Sequence, residues 1–370
     1  MTEKKRSAAS NCPGFFIGAE AFLNHAAGMR NLTYHWETWP LASPFRISRR
    51  TVDQYRCVLV AVGEGTHQGF GEARGIYYLG ETEASMTAQI ESVREAIAAG
   101  ATRETLLDLL SPGGARNAID CALWDLEAKQ TDSSIWDLLG SEPRLAKTAM
   151  TLGVEDDLQT LAAKAQAASH FSTLKLKLAR DGGQKAVAAV RAARPDATII
   201  VDANQAIAPK DLDTVLEALH AARVAMVEQP LPRGEDDMLK GYVNPIPLCA
   251  DESCQSRADL AEVADRYDMI NIKLDKTGGL TEALHLAKAA KAMGLEIMLG
   301  NMLGTSLAMA AALPMVADAR FVDLDGPLWL KQDRQTPLMF QGEQIHWTPG
   351  VWGPSARNIV VQPNTVSGSE

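Results

Sequence analysis

The sequence predicts an α/β protein, a (β/α)7β TIM-like barrel preceded by a smaller N-terminal α+β capping domain, and three observations predict it. Short apolar runs recur at 147–153, 173–178, 198–204, 225–230, 248–253, 269–274, 296–301 and 320–325. Between them lie amphipathic helix patterns such as DLQTLAAKAQAASH, PKDLDTVLEALHAAR and LTEALHLAKAAKAMG. Alternating strand and helix implies parallel strands joined by right-handed crossovers, and this many of them suggests closure into a barrel, with an open doubly wound sheet as the alternative. Before residue 145 the order differs, strands first and helices afterwards, which reads as a small α+β domain.

In chain order, residues 1–28 read as an extension, because strand patterning begins only at Asn31, and Met29 could serve as an alternative start. Strand-like runs at 31–38 and 55–63 are separated by a Pro- and Arg-rich loop, Pro40 to Thr51, and a third run covers 68–73. From Thr82 to Leu139 the period is helical, with Gly140 as a stop. The capping domain is thus expected over 29–144 and the barrel over 145–325. The tail, 326–370, is irregular and is expected to pack back on the first domain.

Composition narrows the function. A hydrophobic content of 46% and a charged content of 22% suit a soluble globular enzyme. A net charge of −10 with scattered basic residues argues against nucleic acid and anionic membranes as partners. No apolar run approaches the ~20 residues of a membrane span, and the first residues lack a secretory signal pattern. The five cysteines, Cys12, Cys57, Cys121, Cys249 and Cys254, lack metal-ligand spacing and read as reduced thiols in a cytoplasm. The histidines fall on helix patterns or loops and read as structural or solvated, and Gly278-Gly279 reads as a strand-to-helix turn.

Chemistry concentrates at strand ends. In TLKLKL, Lys175 and Lys177 share one face while Leu174, Leu176 and Leu178 share the other, where a helix can cover them. Charges inside a covered parallel strand are expensive to desolvate, so they need partners or a task. Asp202, Glu228 and Asp251 follow at one strand-helix unit each, which would bring their carboxylates together at the C-terminal face of a barrel. Single strand-end acids often cap the next helix, but three in register on successive strands would repel, and a hard divalent cation such as Mg²⁺ resolves that. Lys177 and Lys273 flank the acids in order, on opposite walls of a central pocket if the barrel closes. A lone inward lysine is usually an ion-pair partner, whereas two facing amines across a metal site suit proton transfer.

These motifs, Lys175-x-Lys177, Val201-Asp202-Ala203-Asn204, Val227-Glu228-Gln229-Pro230, Ala250-Asp251-Glu252-Ser253 and Asn271-Ile272-Lys273, resemble the enolase superfamily, and within it the muconate-lactonizing subgroup. The resemblance spans about 29–330. It implies Asp202, Glu228 and Asp251 as Mg²⁺ ligands and Lys177 and Lys273 as acid/base lysines. Lys175 would help bind the substrate carboxylate and, by its charge, favour the neutral amine of Lys177. On the last strand, Asp323-Leu324-Asp325 is similar to the pattern with which dipeptide epimerases hold the substrate's ammonium group, and NIKLDKTGGLTEAL and ARNAIDCALWDL look like the L-Ala-D/L-Glu epimerases. Arg49 falls where Glu-selective relatives carry an arginine for the substrate's side-chain carboxylate, while Arg74 to Gly80 departs from them in composition. Thr151, on the first barrel strand, is implied as a further substrate-binding residue. The expectation is therefore a Mg²⁺-dependent, homo-oligomeric, cytoplasmic dipeptide epimerase, its pathway by resemblance peptidoglycan-peptide recycling. The alternatives are an N-acylamino-acid racemase, o-succinylbenzoate synthase or muconate cycloisomerase, or a barrel that merely binds a dipeptide.

Overall fold

The structure is a computed structural model and describes residues 29–47, 50–179 and 183–354. The N-terminal unit opens with an antiparallel meander of β1 (Asn31–Ile47), β2 (Arg50–Glu64) and β3 (His67–Ala73). Helices α1 (Glu83–Ser92), α2 (Arg94–Ala98), α3 (Arg103–Leu109), α4 (Gly114–Gln130) and α5 (Ile135–Leu139) follow. Strand alternation sends Val58, Val60 and Val62 of β2 into one core with Ile119, Ala122 and Leu126 of α4. Helix and sheet approach so closely that a Cβ on Gly69 or Gly71 would lie 2.1 or 2.0 Å from an α4 carbonyl oxygen. Glycine is required there for contact rather than for flexibility.

The stretch 40–51, expected as a loop, instead continues the hairpin over its described residues, 40–47 and 50–51. β1 pairs with β2 as far as Ile47 and Arg50, with a register shift between Pro40 and Phe45. The shift absorbs the two prolines, and Leu41 and Phe45 still pack with Tyr55, Leu303 and Leu330, so burial of apolar side chains holds the ladder together.

After the short β4 (Ala146–Lys147) comes an eight-stranded parallel sheet in sequential order: β5 (Met150–Leu152), β6 (Thr173–Lys177), β7 (Thr198–Asp202), β8 (Val224–Glu228), β9 (Leu248–Ala250), β10 (Met269–Ile272), β11 (Glu296–Leu299) and β12 (Phe321–Val322). The connecting helices are α6 (Leu158–Ala167), α7 (Gln184–Ala193), α8 (Leu212–Ala221), α9 (Leu260–Val263), α10 (Leu274–Thr277), α11 (Leu280–Ala292) and α12 (Ser306–Ala312). The sheet curls until its two ends meet. Ala149 N donates to Val322 O at 2.7 Å, and Leu324 N donates to Thr148 Oγ1 at 2.8 Å. The eight strand positions read from the sequence are all occupied by strands.

Outward side chains of the strands, among them Leu174, Leu176, Val201, Val227 and Ile272, form the main core with the helices. Inward ones, Ile200, Met226, Cys249, Met269 and Met298, fill the bottom of the barrel. The two units dock through α4 and the Gly278-Gly279 turn. Arg116 donates to the carbonyls of Thr277 at 2.6 Å and Gly278 at 3.1 Å, and Asp120 accepts from Thr281 N and Oγ1. Both glycines have positive φ (70° and 115°), and a Cβ on Gly279 would sit 2.4 Å from Asp120 Oδ2, so the turn admits no side chain.

The segment after Gly326 ties the units together again. Lys331 N donates to Pro40 O, and Arg334 spans Glu37 and Glu72 at 2.7 and 2.6 Å. It then forms β13 (Met339–Gln341) and β14 (Gln344–His346), the latter pairing with β4, before Trp352 Nε1 donates to Phe70 O and Cys121 O. Among the described residues no helix is long and apolar enough to cross a membrane.

Candidate active site

The site follows from the period of two along each strand. Two residues beyond each inward apolar side chain at the barrel floor, the same face carries a polar group: Ile200 then Asp202, Met226 then Glu228, Cys249 then Asp251. Met269 is followed in the same way by Asn271 and Lys273. Lys175 and Lys177 occupy the inner face of β6. An apolar plug therefore lies beneath a charged layer at the C-terminal ends of the strands, and the acids are buried by construction.

Oxygens of Asp202, Glu228 and Asp251 lie within 4.8 Å of one another. Lys177 Nζ donates to Asp202 Oδ2 at 2.5 Å on one flank, and Lys273 Nζ donates to Asp251 Oδ2 at 2.6 Å on the other. β6 and β10 are four positions apart in a closed ring of eight strands, which sets them half a turn from each other. The carboxylate trio sits on the three strands between them. Lys175 is placed beneath the pocket rather than in its wall. Its ammonium is buried, 2.7 Å from both Asp323 Oδ2 and Glu228 Oε2 and 3.4 Å from Asp202 Oδ2.

Just past the closing strand β12, Asp323 and Asp325 both line the pocket while Leu324 enters the main core. Thr151 serves both: its backbone N–H donates to Asp325 Oδ2 at 2.7 Å and its hydroxyl to Asp323 Oδ1 at 3.2 Å. Trp329 Nε1 also donates to Asp325 Oδ2, at 3.2 Å. Arg49 lies outside the described residues.

Sequence reasoning gave no role to three further groups. Lys276, fully buried one helical turn after Lys273, pairs with Asp251 Oδ1 at 2.7 Å and donates to the carbonyls of Asp251 and Cys254. Its i, i+3 spacing from Lys273 was the available signal. Asn271 Nδ2 donates to Glu228 Oε1 at 2.7 Å. Glu252 lines the pocket with a buried Oε2 that accepts no hydrogen bond.

The electrostatics follow from these contacts. Burial pushes Asp202 up, but Lys177 and Lys175 outweigh it and hold the carboxyl at about 2. Asp251 is likewise held well below the usual range by Lys273 and Lys276 against the effect of burial. Glu228 moves the other way, raised by burial and by the Asp202 charge. Burial pushes the Lys273 ammonium down, yet Asp251 and Glu228 raise it above its ordinary value. Burial and then the Asp251 charge push Glu252 up to about 8, and burial and then Asp323 push Asp325 to about 6. The buried thiols Cys57, Cys121, Cys249 and Cys254 are raised by burial, the opposite of what a reactive cysteine requires. His35 and His285 pair with Glu37 and Glu104 away from the pocket.

The cap covers this layer. Phe45 and Val52 of the hairpin, Arg74, Tyr77 and Tyr78 of the segment after β3, and Met302, Leu303 and Trp329 of the barrel loops line the pocket above the two lysines.

Comparison with known families places this geometry. Residues 157–349 match the enolase C-terminal domain-like family, and residues 29–140 match the N-terminal domain of the mandelate racemase / muconate lactonizing enzymes. The chain belongs to the enolase superfamily. It is 44% identical over 321 residues to the L-Ala-D/L-Glu epimerase of Escherichia coli K12, covering 86% of this chain and all of that protein. Its fold is similar, at a TM-score of 0.85 and 41% identity, to an enolase family member from Agrobacterium tumefaciens with homology to dipeptide epimerases, crystallised with sodium and L-Ala-L-Glu. That match covers 88% of this chain and 100% of the other. A dipeptide epimerase from Enterococcus faecalis, complexed with Mg and L-Leu-L-Tyr, matches at a TM-score of 0.80 and 29% identity over 86% of this chain and 96% of its own.

The superfamily's metal can be tested against the residues present. All three acids offer hard oxygen donors, the kind Mg²⁺ takes. Glu228 Oε2 and Asp251 Oδ1 are buried and each faces an ammonium 2.7 Å away, so both oxygens already stand where positive charge is held. The donor set fits a divalent cation.

Proposed function

We propose that this protein is a Mg²⁺-dependent dipeptide epimerase that inverts the α-carbon of the C-terminal residue, with L-Ala-D/L-Glu as its substrate pair. The observation that carries the reading is the pairing of two opposed amines, Lys177 and Lys273, with a separate buried carboxylate pair, Asp323 and Asp325, at the side of the same pocket. Asp202, Glu228 and Asp251 would hold the Mg²⁺, which when bound supplies positive charge against the substrate carboxylate as the α-carbon becomes electron-rich.

Lys177 and Lys273 reach the α-carbon from opposite faces. The nitrogen lone pair of one takes the α-proton, and the C–H electron pair passes into the carboxylate system. The ammonium of the other returns a proton to the opposite face, which inverts the centre, and the roles exchange in the reverse direction. Asp323 and Asp325, aligned by Thr151, hold the dipeptide's ammonium end and so fix the distance from that end to the reacting carbon. Lys175 acts through the acids it joins: it ties Asp323 to Glu228 and prevents the acidic layer from splaying.

The test is incubation of the protein with Mg²⁺ and L-Ala-L-Glu in D₂O. Deuterium at the glutamyl α-carbon, together with appearance of L-Ala-D-Glu, is the expected result. Binding of the dipeptide with no label would make the barrel a binding protein. Label in N-acetyl-glutamate but not in the dipeptide would make it an N-acylamino-acid racemase, which needs no carboxylate pair for a free ammonium.

A further inference from the structure

The cap must supply whatever reads the side chain of the epimerised residue, because the barrel face is committed to the carboxylate, the α-proton and the ammonium end. Among the described lining residues that the cap contributes, Phe45, Val52, Arg74, Tyr77 and Tyr78, Arg74 is the one cation. Its place is fixed from the barrel. The Arg74 backbone N–H donates at 2.8 Å to Asp275 Oδ1, two residues after Lys273, and Asn117 Nδ2 holds the same oxygen at 3.1 Å. Arg74 therefore enters the pocket at a position set by the short helix that immediately follows one of the two lysines.

The side chain is supported as well. The guanidinium stands 5.9 Å from the Tyr55 ring, which is buried, and Nη1 lies 3.5 Å from Met302 O in the loop after β11. The residue after it is held close: a Cβ on Gly75 would lie 2.9 Å from Met86 Sδ.

At the other end of the same segment Tyr78 presents a buried hydroxyl that accepts and donates no hydrogen bond. That end lines the pocket beside two acid side chains, Asp251 and Glu252. An anionic side chain entering over the α-carbon thus finds its cation, among the described residues the cap contributes, at Arg74.

We infer that Arg74 is a specificity-determining residue that takes the side-chain carboxylate of the substrate's C-terminal residue, making dipeptides with an acidic second residue the preferred class. A planar fork with two parallel N–H donors suits a carboxylate better than an ammonium would. The inference rests on the epimerase reading above and adds to it the group that chooses among dipeptides.

The test compares kcat and KM of wild type, Arg74→Met and Arg74→Lys on L-Ala-L-Glu and on its uncharged isostere L-Ala-L-Gln, with Mg²⁺ present. Wild type is expected to favour Glu over Gln. Arg74→Met should lower the Glu-to-Gln ratio of kcat/KM about tenfold to a hundredfold, mainly through KM, as befits a lost charge-assisted hydrogen bond. Arg74→Lys should recover part of the ratio. A ratio unchanged in Arg74→Met overturns the inference, whether both substrates suffer equally or neither does. If Arg74→Met does not fold, Arg74→Lys decides: a ratio equal to wild type overturns the inference, and a several-fold fall supports it. Wild type that exchanges no dipeptide α-proton at all refutes the epimerase reading and this inference with it, whereas an active wild type with an unmoved ratio refutes this inference alone.

Discussion

Asp275 offers a stability prediction whose size can be worked from the structure. Its carboxyl lies buried between cap and barrel, accepts hydrogen bonds from Arg74 N and Asn117 Nδ2, and has Glu72 and Glu81 rather than cations as its charged neighbours. Burial is the largest influence and pushes it from 3.8 up to about 7. A carboxyl raised in the folded state binds more protons folded than unfolded, so its contribution to stability is fully present below pH 3.8 and is lost as the pH rises through about 7. With those two values the loss between pH 5 and pH 8 is about 2–3 kcal/mol, from the slope of 1.36 kcal/mol for each pH unit over which the folded state alone holds the proton. Asp275→Asn keeps the acceptor oxygen and removes the titration. The new amide leaves one N–H pair without a designed partner, a cost of about 1–3 kcal/mol that is the same at every pH. The assay is urea unfolding of both proteins at pH 5 and pH 8, read as the midpoint difference. The variant should gain on wild type by several tenths of a molar in urea on going from pH 5 to pH 8. A midpoint difference that is constant across that range, or that moves toward wild type, would show that Asp275 does not carry this burial and would refute the reasoning.

Further outcomes can be checked separately. Lys276→Met removes the buried ammonium beside Asp251 and should weaken Mg²⁺ activation about tenfold to a hundredfold, measured as the Mg²⁺ concentration for half-maximal activity. Thr151→Val removes the hydroxyl donor to Asp323 while keeping the backbone donor to Asp325, so KM for the dipeptide should rise roughly fivefold to tenfold, the equivalent of about 1 kcal/mol, with kcat changed less. Replacing both Asp323 and Asp325 by Asn should cost about a hundredfold or more in kcat/KM on a dipeptide and much less on an N-acyl amino acid, since only the former brings an ammonium group. Chelation with EDTA should abolish α-proton exchange, and added Mg²⁺ should restore it.

The barrel was legible in the sequence because strands covered on both faces read as short apolar runs at regular spacing. Their ends were less legible. The runs at 198–204 and 225–230 continue past the last paired residues, Asp202 and Glu228, where Asn204, Gln205 and Gln229 take positive φ of 44°, 64° and 36° and the chain leaves the sheet. The extended hairpin was hidden by its own bulge. Pro40, Pro44 and clustered arginines are turn-like locally, and the ladder through them rests on contacts with Leu303 and Leu330, far along the chain. In the site, strand-borne groups such as Asp202 and Lys177 announced themselves by alternation. Lys276 sits on a one-turn helix, Arg74 on an irregular segment and Tyr78 in the single 3-10 turn Tyr77–Leu79, all too short for a period to say which way a side chain points. Their positions depend on how cap and barrel dock, which no local pattern encodes.

The most direct test follows α-proton exchange in D₂O separately for L-Ala-L-Glu and L-Ala-D-Glu in the Lys177→Ala and Lys273→Ala proteins. Two opposed bases require that both variants lose epimerisation, that each exchanges at most one diastereomer, and that any residual exchange falls on different diastereomers in the two. Epimerisation at the wild-type rate in either variant, or residual exchange of the same diastereomer in both, would contradict a site with one amine on each side of the reacting carbon.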